Sequence, residues 1–173
     1  IVWPEAATPR AITMDAQLYG QVKDIAAKAG TCLLLGSTHQ DKVRTRGQGR
    51  IKYANSAFLI SPDRQGKDKR YDKIRLLPFG EYLPMKEIIP WSYIRIPDPG
   101  SYTPGQEFTM FESSGCRFGV TICWETIFPD LVRGFVNRGA QFLVNITNEA
   151  WFGKSAAPYQ FLSMNVFRAV ENR

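Results

Sequence analysis

The chain has 173 residues, of which 44% are hydrophobic and 22% are charged, with a formal net charge of +6. This length supplies one well-covered hydrophobic core and is short for two, so we expect a single domain over residues 1–173. The sequence contains no apolar run near the roughly 18 residues that a transmembrane helix needs, and no signal-peptide pattern.

The first third of the chain predicts three strands and one helix. Ile1 to Trp3 is a short apolar strand. Asp15 to Lys28 has apolar residues at helical spacing, and Gly30 stops the helix. Thr31 to Ser37 and Ile51 to Ser61 are predicted as further strands, the second of them closed by a turn. This order of strand, helix, strand and strand favours an α/β or α+β fold.

Lys42 to Lys52, with the sequence KVRTRGQGRIK, is the densest basic run and contains no acid. A loop leading into a strand is the ordinary explanation for such a run. As a functional surface it fits phospholipid headgroups, because each Lys or Arg near an anionic membrane contributes about 1 kcal/mol. Nucleic acid is disfavoured, because the aromatic residues that stack on bases are not interleaved with this run.

The middle of the chain shows little regular periodicity. Arg64 to Arg75 is charged and contains Lys73, whereas Leu76 to Pro84 is apolar and contains one acid, Glu81. A lone carboxylate in apolar surroundings usually has a partner, and Lys73 is the candidate. Met85 to Gln106 combines prolines with aromatic and aliphatic residues, and a connection of this length is typical of a lid or binding loop.

The second half predicts a hairpin followed by a helix, a strand and another helix. In order, the predicted elements are a strand at Glu107 to Glu112, a turn at Ser113 to Gly115, a strand at Cys116 to Ile122, a helix at Leu131 to Arg138, a strand at Gln141 to Asn148 and a helix from Ala156 onwards. Trp151 to Gly153 forms an aromatic turn between the last two elements.

Cys123 follows the strand that ends at Ile122 and precedes Phe128-Pro129-Asp130, which opens the next helix. A sharp strand-to-helix turn lifts a nucleophile clear of the sheet and leaves backbone N–H groups free to hold an oxyanion. A free cysteine is also a common buried core residue, so position alone leaves both interpretations open.

Cysteine and histidine usage limits the other kinds of site. Cys32, Cys116 and Cys123 form an odd set without CxxC spacing, which gives no support to a disulfide framework or a thiolate zinc site. The single histidine, His39, excludes a multi-histidine metal site and allows a Cys-His dyad only if it lies beside Cys123. We therefore expect no metal.

Three strand ends offer polar groups to one edge of the fold, which is where open α/β sheets place their chemistry. These groups are Glu5, Cys123 and the pair Asn148-Glu149, and the irregular middle segment adds Lys73 and Glu81. Glutamate, lysine and cysteine together perform acyl transfer without histidine. The cation lowers the pKa of the thiol, the glutamate takes its proton and the ammonium stabilises the oxyanion.

Four segments carry a resemblance to a known family. They are Trp3-Pro4-Glu5, Tyr71-Asp72-Lys73 with Leu77 to Pro84, Cys123-Trp124-Glu125 with Ile127-Phe128-Pro129, and Asn148 to Gly153. Together they resemble the nitrilase, or carbon–nitrogen hydrolase, superfamily, and within it the catalytic domains of the bacterial apolipoprotein N-acyltransferases. The resemblance runs essentially from end to end of the chain.

The resemblance implies a fold and a set of roles. The fold is a nitrilase-like α-β-β-α sandwich of the α/β (α+β) class, truncated at both ends. The implied triad has Glu5 as general base, Lys73 as oxyanion stabiliser and Cys123 as nucleophile. The other implied residues are the auxiliary acids Glu81 and Glu125, which hold the triad and substrate, and the pocket-lining Asn55 and Trp124.

The implied reaction is a ping-pong acyl transfer without a cofactor. The thiol takes an acyl chain from a phospholipid such as phosphatidylethanolamine as a thioester, and then gives it to the N-terminal amine of a diacylglyceryl-cysteine apolipoprotein. The chain begins without Met and stops within a helical pattern, so we expect a fragment of a longer protein. That protein would have membrane helices before Ile1, in the bacterial inner membrane, with this domain on the periplasmic side and the 85–106 loop as a lipid-facing lid.

Other interpretations remain open. A soluble amidase of the nitrilase superfamily would use the same thioester chemistry with water as acceptor and a small amide as substrate. A non-catalytic lipid- or peptide-binding domain would leave Cys123 as a buried core residue. Nucleic-acid binding through Lys42 to Lys52 would show salt-dependent affinity.

Overall fold

A computed structural model describes residues 1–45, 48–86, 88–89 and 102–173, and the side chains of 42–50 lie outside this description. The helices are α1 (Ala16–Ala29), α2 (Pro129–Val136) and α3 (Ala157–Asn172). The strands are β1 (Leu33–Thr45), β2 (Gln48–Ile60), β3 (Lys69–Asp72), β4 (Phe111–Ser113), β5 (Cys116–Ile122) and β6 (Phe142–Ile146). Short 3-10 helices cover Ile12–Met14, Cys123–Ile127 and Ala150–Phe152.

The strands form two three-stranded sheets. The first has the order β1-β2-β3 and is antiparallel throughout. In the second, β4 and β5 form an antiparallel hairpin, whereas β5 and β6 run parallel with Ile122 opposite Ile146. Because parallel strands end at the same edge, the residues that follow β5 and β6 are brought together there.

The layers follow from alternation along the strands, since successive side chains point to opposite faces. On one face of the first sheet, Leu33 and Leu35 pack with residues of α1 such as Val22. On the other face, Leu34 joins a cluster that includes Val120 of the second sheet and Phe135 of α2. The expected α-β-β-α order of layers is therefore observed.

Local signals in the sequence explain where the well-predicted elements begin and end. Asp15 caps α1 by accepting a hydrogen bond from Leu18 N at 3.0 Å, and Gly30 ends it with φ +61°. The β4–β5 hairpin turns at Ser114 and Gly115, with φ +52° and +78°.

Other predicted boundaries were wrong. The strand predicted at Ile1 to Trp3 is a single parallel bridge between Val2 and Leu34. The strand predicted at Thr31 to Ser37 starts at Leu33 and continues to Thr45, and its partner starts at Gln48 rather than Ile51. The polar residues after Ser37 and before Ile51 suggested that the strands end there. The strands continue through them because β1 and β2 pair with each other along their whole length.

In the middle segment the structure adds a strand, β3, and describes only part of the predicted lid. Strand β3 was not predicted, because three of its four residues are charged and only Tyr71 is buried. For the lid predicted at Met85 to Gln106, residues 87 and 90–101 lie outside the described residues. Among the helices of the described ranges, none is long and apolar enough to cross a membrane.

Candidate active site

Cys123 lies at the strand-to-helix turn that the sequence predicts. It directly follows β5, opens the 3-10 helix Cys123–Ile127 and has φ +55°. A positive φ is uncommon for a residue with a side chain, and such strain is often found at functional sites. Asn145 on β6 fixes this turn, because its Nδ2 donates to the Cys123 carbonyl oxygen at 3.1 Å.

Glu5 reaches the same edge from the start of the chain. The backbone on either side of it pairs with β1, and a Cβ on Gly36 would lie 2.5 Å from the Glu5 Cα, so this approach requires glycine. The buried carboxylate accepts hydrogen bonds from Asn55 Nδ2 at 2.7 Å and from the backbone N–H of Asn148 at 3.0 Å.

Lys73 lies one residue beyond β3 and is 1% exposed. Its Nζ is 3.0 Å from Glu81 Oε2 and 3.6 Å from Glu5 Oε1. The predicted pairing of Lys73 with Glu81 is therefore confirmed. Burial by itself lowers the pKa of Lys73, but the charges of Glu81 and Glu5 outweigh this effect, so the net shift is upward and the ammonium stays protonated.

Asn55 on β2 connects the two carboxylates. Its Nδ2 donates to Glu5 Oε1 and to Glu81 Oε1, each at 2.7 Å. Its backbone carbonyl oxygen accepts a hydrogen bond from the backbone N–H of Lys73 at 2.8 Å. Asn55 thus lies between Glu5 and Glu81 and sets their separation around the lysine.

Burial and the neighbouring charges change the pKa of the Cys123 thiol. Burial is the largest influence and raises the pKa of Cys123, and the carboxylate of Glu5 raises it further. The Lys73 ammonium, the Thr147 hydroxyl and the backbone N–H of Trp124 lower it, but the net shift is upward. The resting group is therefore a protonated thiol, and attack on a carbonyl requires a base beside it.

Glu125 is fully buried and connects the two halves of the site. The groups that donate to its carboxylate, over 2.7–3.0 Å, are the Tyr71 hydroxyl and the backbone N–H groups of Ile74, Arg75 and Ile122. Burial raises the pKa of Glu125, and these donors oppose the shift because they favour the charged form. Glu125 thereby ties the segment after Lys73 to the end of β5, just before Cys123.

An apolar cavity of about 360 Å³ is lined in part by Trp124, the residue that follows Cys123. Its lining residues are Ile74, Arg75, Leu76, Tyr82, Tyr102, Pro104, Trp124 and Phe128. Trp124 is held in place by donating from Nε1 to the Arg75 carbonyl oxygen at 2.6 Å and by an edge-to-face contact with Phe128. Cys123, Glu5 and Lys73 are not among the residues that line this cavity. Asn55 is not among the lining residues.

Sequence reasoning brought Glu5, Lys73, Glu81 and Cys123 to one place, and in the structure their charges interact. It missed the parts played by Asn145 and by the backbone of Asn148. Both contributions depend on the parallel pairing of β5 and β6, which brings the residues after the two strands to one edge and has no local signal in the sequence.

The remaining candidates lie elsewhere. His39 on β1 contacts Thr13, Asp41 and Arg70, so it forms no dyad with Cys123. Within the described part of the chain, no group of three His, Cys, Asp or Glu side chains is arranged to hold a metal ion.

Comparison with known proteins identifies relatives over the whole chain. The carbon–nitrogen hydrolase family matches residues 1–173. The chain is 45% identical over 175 residues to an apolipoprotein N-acyltransferase of Geobacter metallireducens, covering 100% of this chain and 32% of that protein. It is 39% identical over 189 residues to apolipoprotein N-acyltransferase 1 of Treponema pallidum, covering 100% and 34%. The chain thus spans about a third of the length of the curated relatives it matches.

Solved structures match the fold. An amidase from Nesterenkonia sp. superposes with a TM-score of 0.62 at 19% identity, covering 99% of this chain and 58% of that one. A variant of the Nesterenkonia AN1 amidase, described as a member of the nitrilase superfamily, gives 0.63 at 18% identity with the same coverage. At this level of identity the likeness concerns the fold alone, and it confirms the nitrilase-like architecture predicted from the sequence.

Proposed function

The chain belongs to the carbon–nitrogen hydrolase family, and on that premise we propose that it is the catalytic part of an apolipoprotein N-acyltransferase. It transfers a fatty acyl chain from a phospholipid, through a thioester on Cys123, to the N-terminal amine of a diacylglyceryl-cysteine apolipoprotein. Similarity to N-acyltransferases over the whole chain supports this substrate class. The proposal includes membrane helices outside this chain, in the bacterial inner membrane, with the catalytic domain on the periplasmic side.

In the first half-reaction, Glu5 takes the proton of the Cys123 thiol, and the thiolate attacks the ester carbonyl of the phospholipid. A C–S bond forms while the carbonyl oxygen becomes an oxyanion, which the Lys73 ammonium and the backbone N–H of Trp124 stabilise. The C–O bond to the glycerol then breaks. Glu5 returns its proton to the departing alkoxide, and a lysophospholipid leaves the thioester behind.

In the second half-reaction, the amine of the apolipoprotein attacks the thioester. The C–N bond forms, the C–S bond breaks, and Glu5 takes the proton that the nitrogen loses. The Cys123 thiolate recovers this proton, which restores the resting thiol. The apolar cavity that Trp124 lines next along the chain from Cys123 suits an acyl chain, whose binding there would help to exclude water from the thioester.

The observation that carries the proposal is the convergence of a carboxylate and an ammonium on one thiol. Glu5 Oε1 lies 3.6 Å from Lys73 Nζ, and both charges act on the pKa of Cys123. The Lys73 ammonium is held protonated by Glu81 as well as by Glu5, which suits an oxyanion partner rather than a base. His39, the one histidine of this chain, contacts Thr13 and Asp41.

The test is acyl transfer by the full protein that carries this chain. The protein is incubated in detergent with phosphatidylethanolamine and a synthetic diacylglyceryl-cysteine peptide, and the peptide is weighed by mass spectrometry. The proposal predicts a mass gain of one acyl chain with the wild type and with Cys116→Ala, whose cysteine is exposed, and none with Cys123→Ala. Hydrolysis of small amides without any acylated peptide would instead favour the amidase interpretation.

A further inference from the structure

We propose that the hydroxyl of Thr147 is a hydrogen-bond donor reserved for the Cys123 thiolate, and hence a further catalytic residue of this site. The inference rests on the proposed function in that it takes Cys123 as the nucleophile. It adds a group that sequence reasoning did not identify, placed one residue beyond β6.

Strand register brings Thr147 to the nucleophile. Ile122 and Ile146 are paired in the parallel β5–β6 ladder, so Cys123 and Thr147 are the next residues along the two strands. Neighbouring strands are about 4.8 Å apart, a distance that a thiol and a hydroxyl on adjacent backbones bridge readily.

The residues on both sides of Thr147 are fixed to the site. Asn145 donates to the Cys123 carbonyl oxygen at 3.1 Å, and the backbone N–H of Asn148 donates to Glu5 Oε2 at 3.0 Å. The backbone of Thr147 is therefore held between the nucleophile and its base. A side chain anchored in this way needs no rearrangement to act during the reaction.

The Thr147 hydroxyl has an unused hydrogen-bonding capacity. Its Oγ1 is buried and has no well-formed hydrogen bond to any described residue, although buried hydroxyls nearly always have one. Even so, it is close enough to the Cys123 sulfur to lower the pKa of the thiol. A neutral thiol is a weak acceptor, whereas a thiolate is a strong one, so the contact strengthens when Glu5 removes the proton.

The Thr147 hydroxyl forms a weak hydrogen bond to the thiol and a strong one to the thiolate. Because the stronger bond is present only after deprotonation, it favours loss of the proton from Cys123 without stabilising the resting enzyme. It offsets part of the unfavourable effect of burial and of the Glu5 charge on the same sulfur. The thiolate is then stabilised by two groups, the neutral hydroxyl of Thr147 and the charged ammonium of Lys73.

The test compares Thr147→Val with Thr147→Ser in the full protein that carries this chain. Valine has nearly the shape of threonine but lacks the hydroxyl, whereas serine keeps it. The pH dependence of Cys123 alkylation by iodoacetamide is measured by peptide-resolved mass spectrometry, which separates Cys123 from Cys32 and Cys116. This readout uses no lipid, so it is independent of whether the protein transfers acyl chains.

A hydrogen bond to a charged group is lost in Thr147→Val, so the alkylation midpoint is expected to rise by about one to two pH units. Thr147→Ser should keep the wild-type midpoint. The melting temperature of Thr147→Val should not fall, because a buried hydroxyl without a partner contributes nothing to the folded state. If the valine variant does not fold, Thr147→Ala provides the same comparison.

Equal midpoints for wild type and Thr147→Val would overturn the proposal, even if acyl transfer were slower, since that pattern would assign the hydroxyl to the oxyanion instead. A raised midpoint in a protein that transfers no acyl chain would keep the role of Thr147 and remove the acyltransferase assignment. The two proposals therefore fail separately.

Discussion

Lys73 Nζ lies 3.0 Å from Glu81 Oε2, and both side chains are buried. Removing one partner of a buried ion pair leaves the other charge uncompensated, which costs about 3–5 kcal/mol. Here Glu5 is a second carboxylate, 3.6 Å from the same ammonium, so loss of the lysine leaves two buried acids that are bridged by Asn55 but have lost this ammonium as a counter-charge. The pair thus affects stability as well as chemistry.

Lys73→Met should therefore lower the free energy of unfolding by about 3–5 kcal/mol and abolish acyl transfer. Denaturant titration measures the first effect and peptide acylation the second. The matched control is Lys154→Met at an exposed lysine, which should change stability by no more than about 0.5 kcal/mol. Wild-type activity in a folded Lys73→Met protein would exclude the assigned oxyanion role.

Glu5→Gln removes the proposed base and keeps an oxygen that accepts hydrogen bonds. We expect the protein to remain folded, with the rate of thioester formation reduced by about 10²- to 10⁴-fold. Stopped incubations with phosphatidylethanolamine, followed by intact-mass analysis, give this rate. Glu112→Gln, at an exposed acid on β4, is the control and should act at the wild-type rate. Equal rates for the two variants would argue against Glu5 as the base.

Glu125 should make stability depend on pH in a defined direction. Its pKa is raised above the ordinary value of 4.5, so the folded state binds this proton more tightly than the unfolded state does. Its contribution is therefore fully present below the unfolded pKa and is lost as the pH rises through the folded pKa. The loss amounts to about 1.4 kcal/mol for each pH unit in that window.

Glu125→Gln has no proton to lose, so it should remove this slope. Denaturant titrations from pH 4 upwards measure the free energy of unfolding of wild type and variant. As the pH rises, the wild-type value should decrease relative to that of the variant. Tyr71→Phe provides a second check, because losing a donor to the carboxylate raises the pKa of Glu125 further and extends the window to higher pH. Parallel pH profiles for wild type and Glu125→Gln would contradict the prediction.

Elements whose ends are set by local residues could be predicted from the sequence, whereas elements set by pairing with distant strands could not. Helix α1 was predictable because Asp15 caps its first turn and Gly30 adopts the left-handed conformation that ends it. Strand β3 was not, because its membership of the first sheet comes from pairing with β2, and its charged residues mask the one buried side chain, Tyr71.

The site shows the same division. The locations of Glu5 and Cys123 could be predicted because each follows a predicted strand. Lys73 was singled out differently, as the expected partner of Glu81 in an irregular segment, and the two side chains do form an ion pair. The contact of Asn145 with Cys123 and the proposed role of Thr147 depend on the register between β5 and β6, which no local pattern in the sequence specifies.

Intact-mass spectrometry of the full protein, after incubation with phosphatidylethanolamine in detergent, tests most directly whether Cys123 carries the acyl chain. The wild type and Cys116→Ala should each gain the mass of one acyl chain, which neutral hydroxylamine removes because the bond is a thioester. Cys123→Ala should gain nothing. A folded wild-type protein that stays unmodified, or an equal gain in Cys123→Ala, would contradict the assignment of Cys123 as the nucleophile.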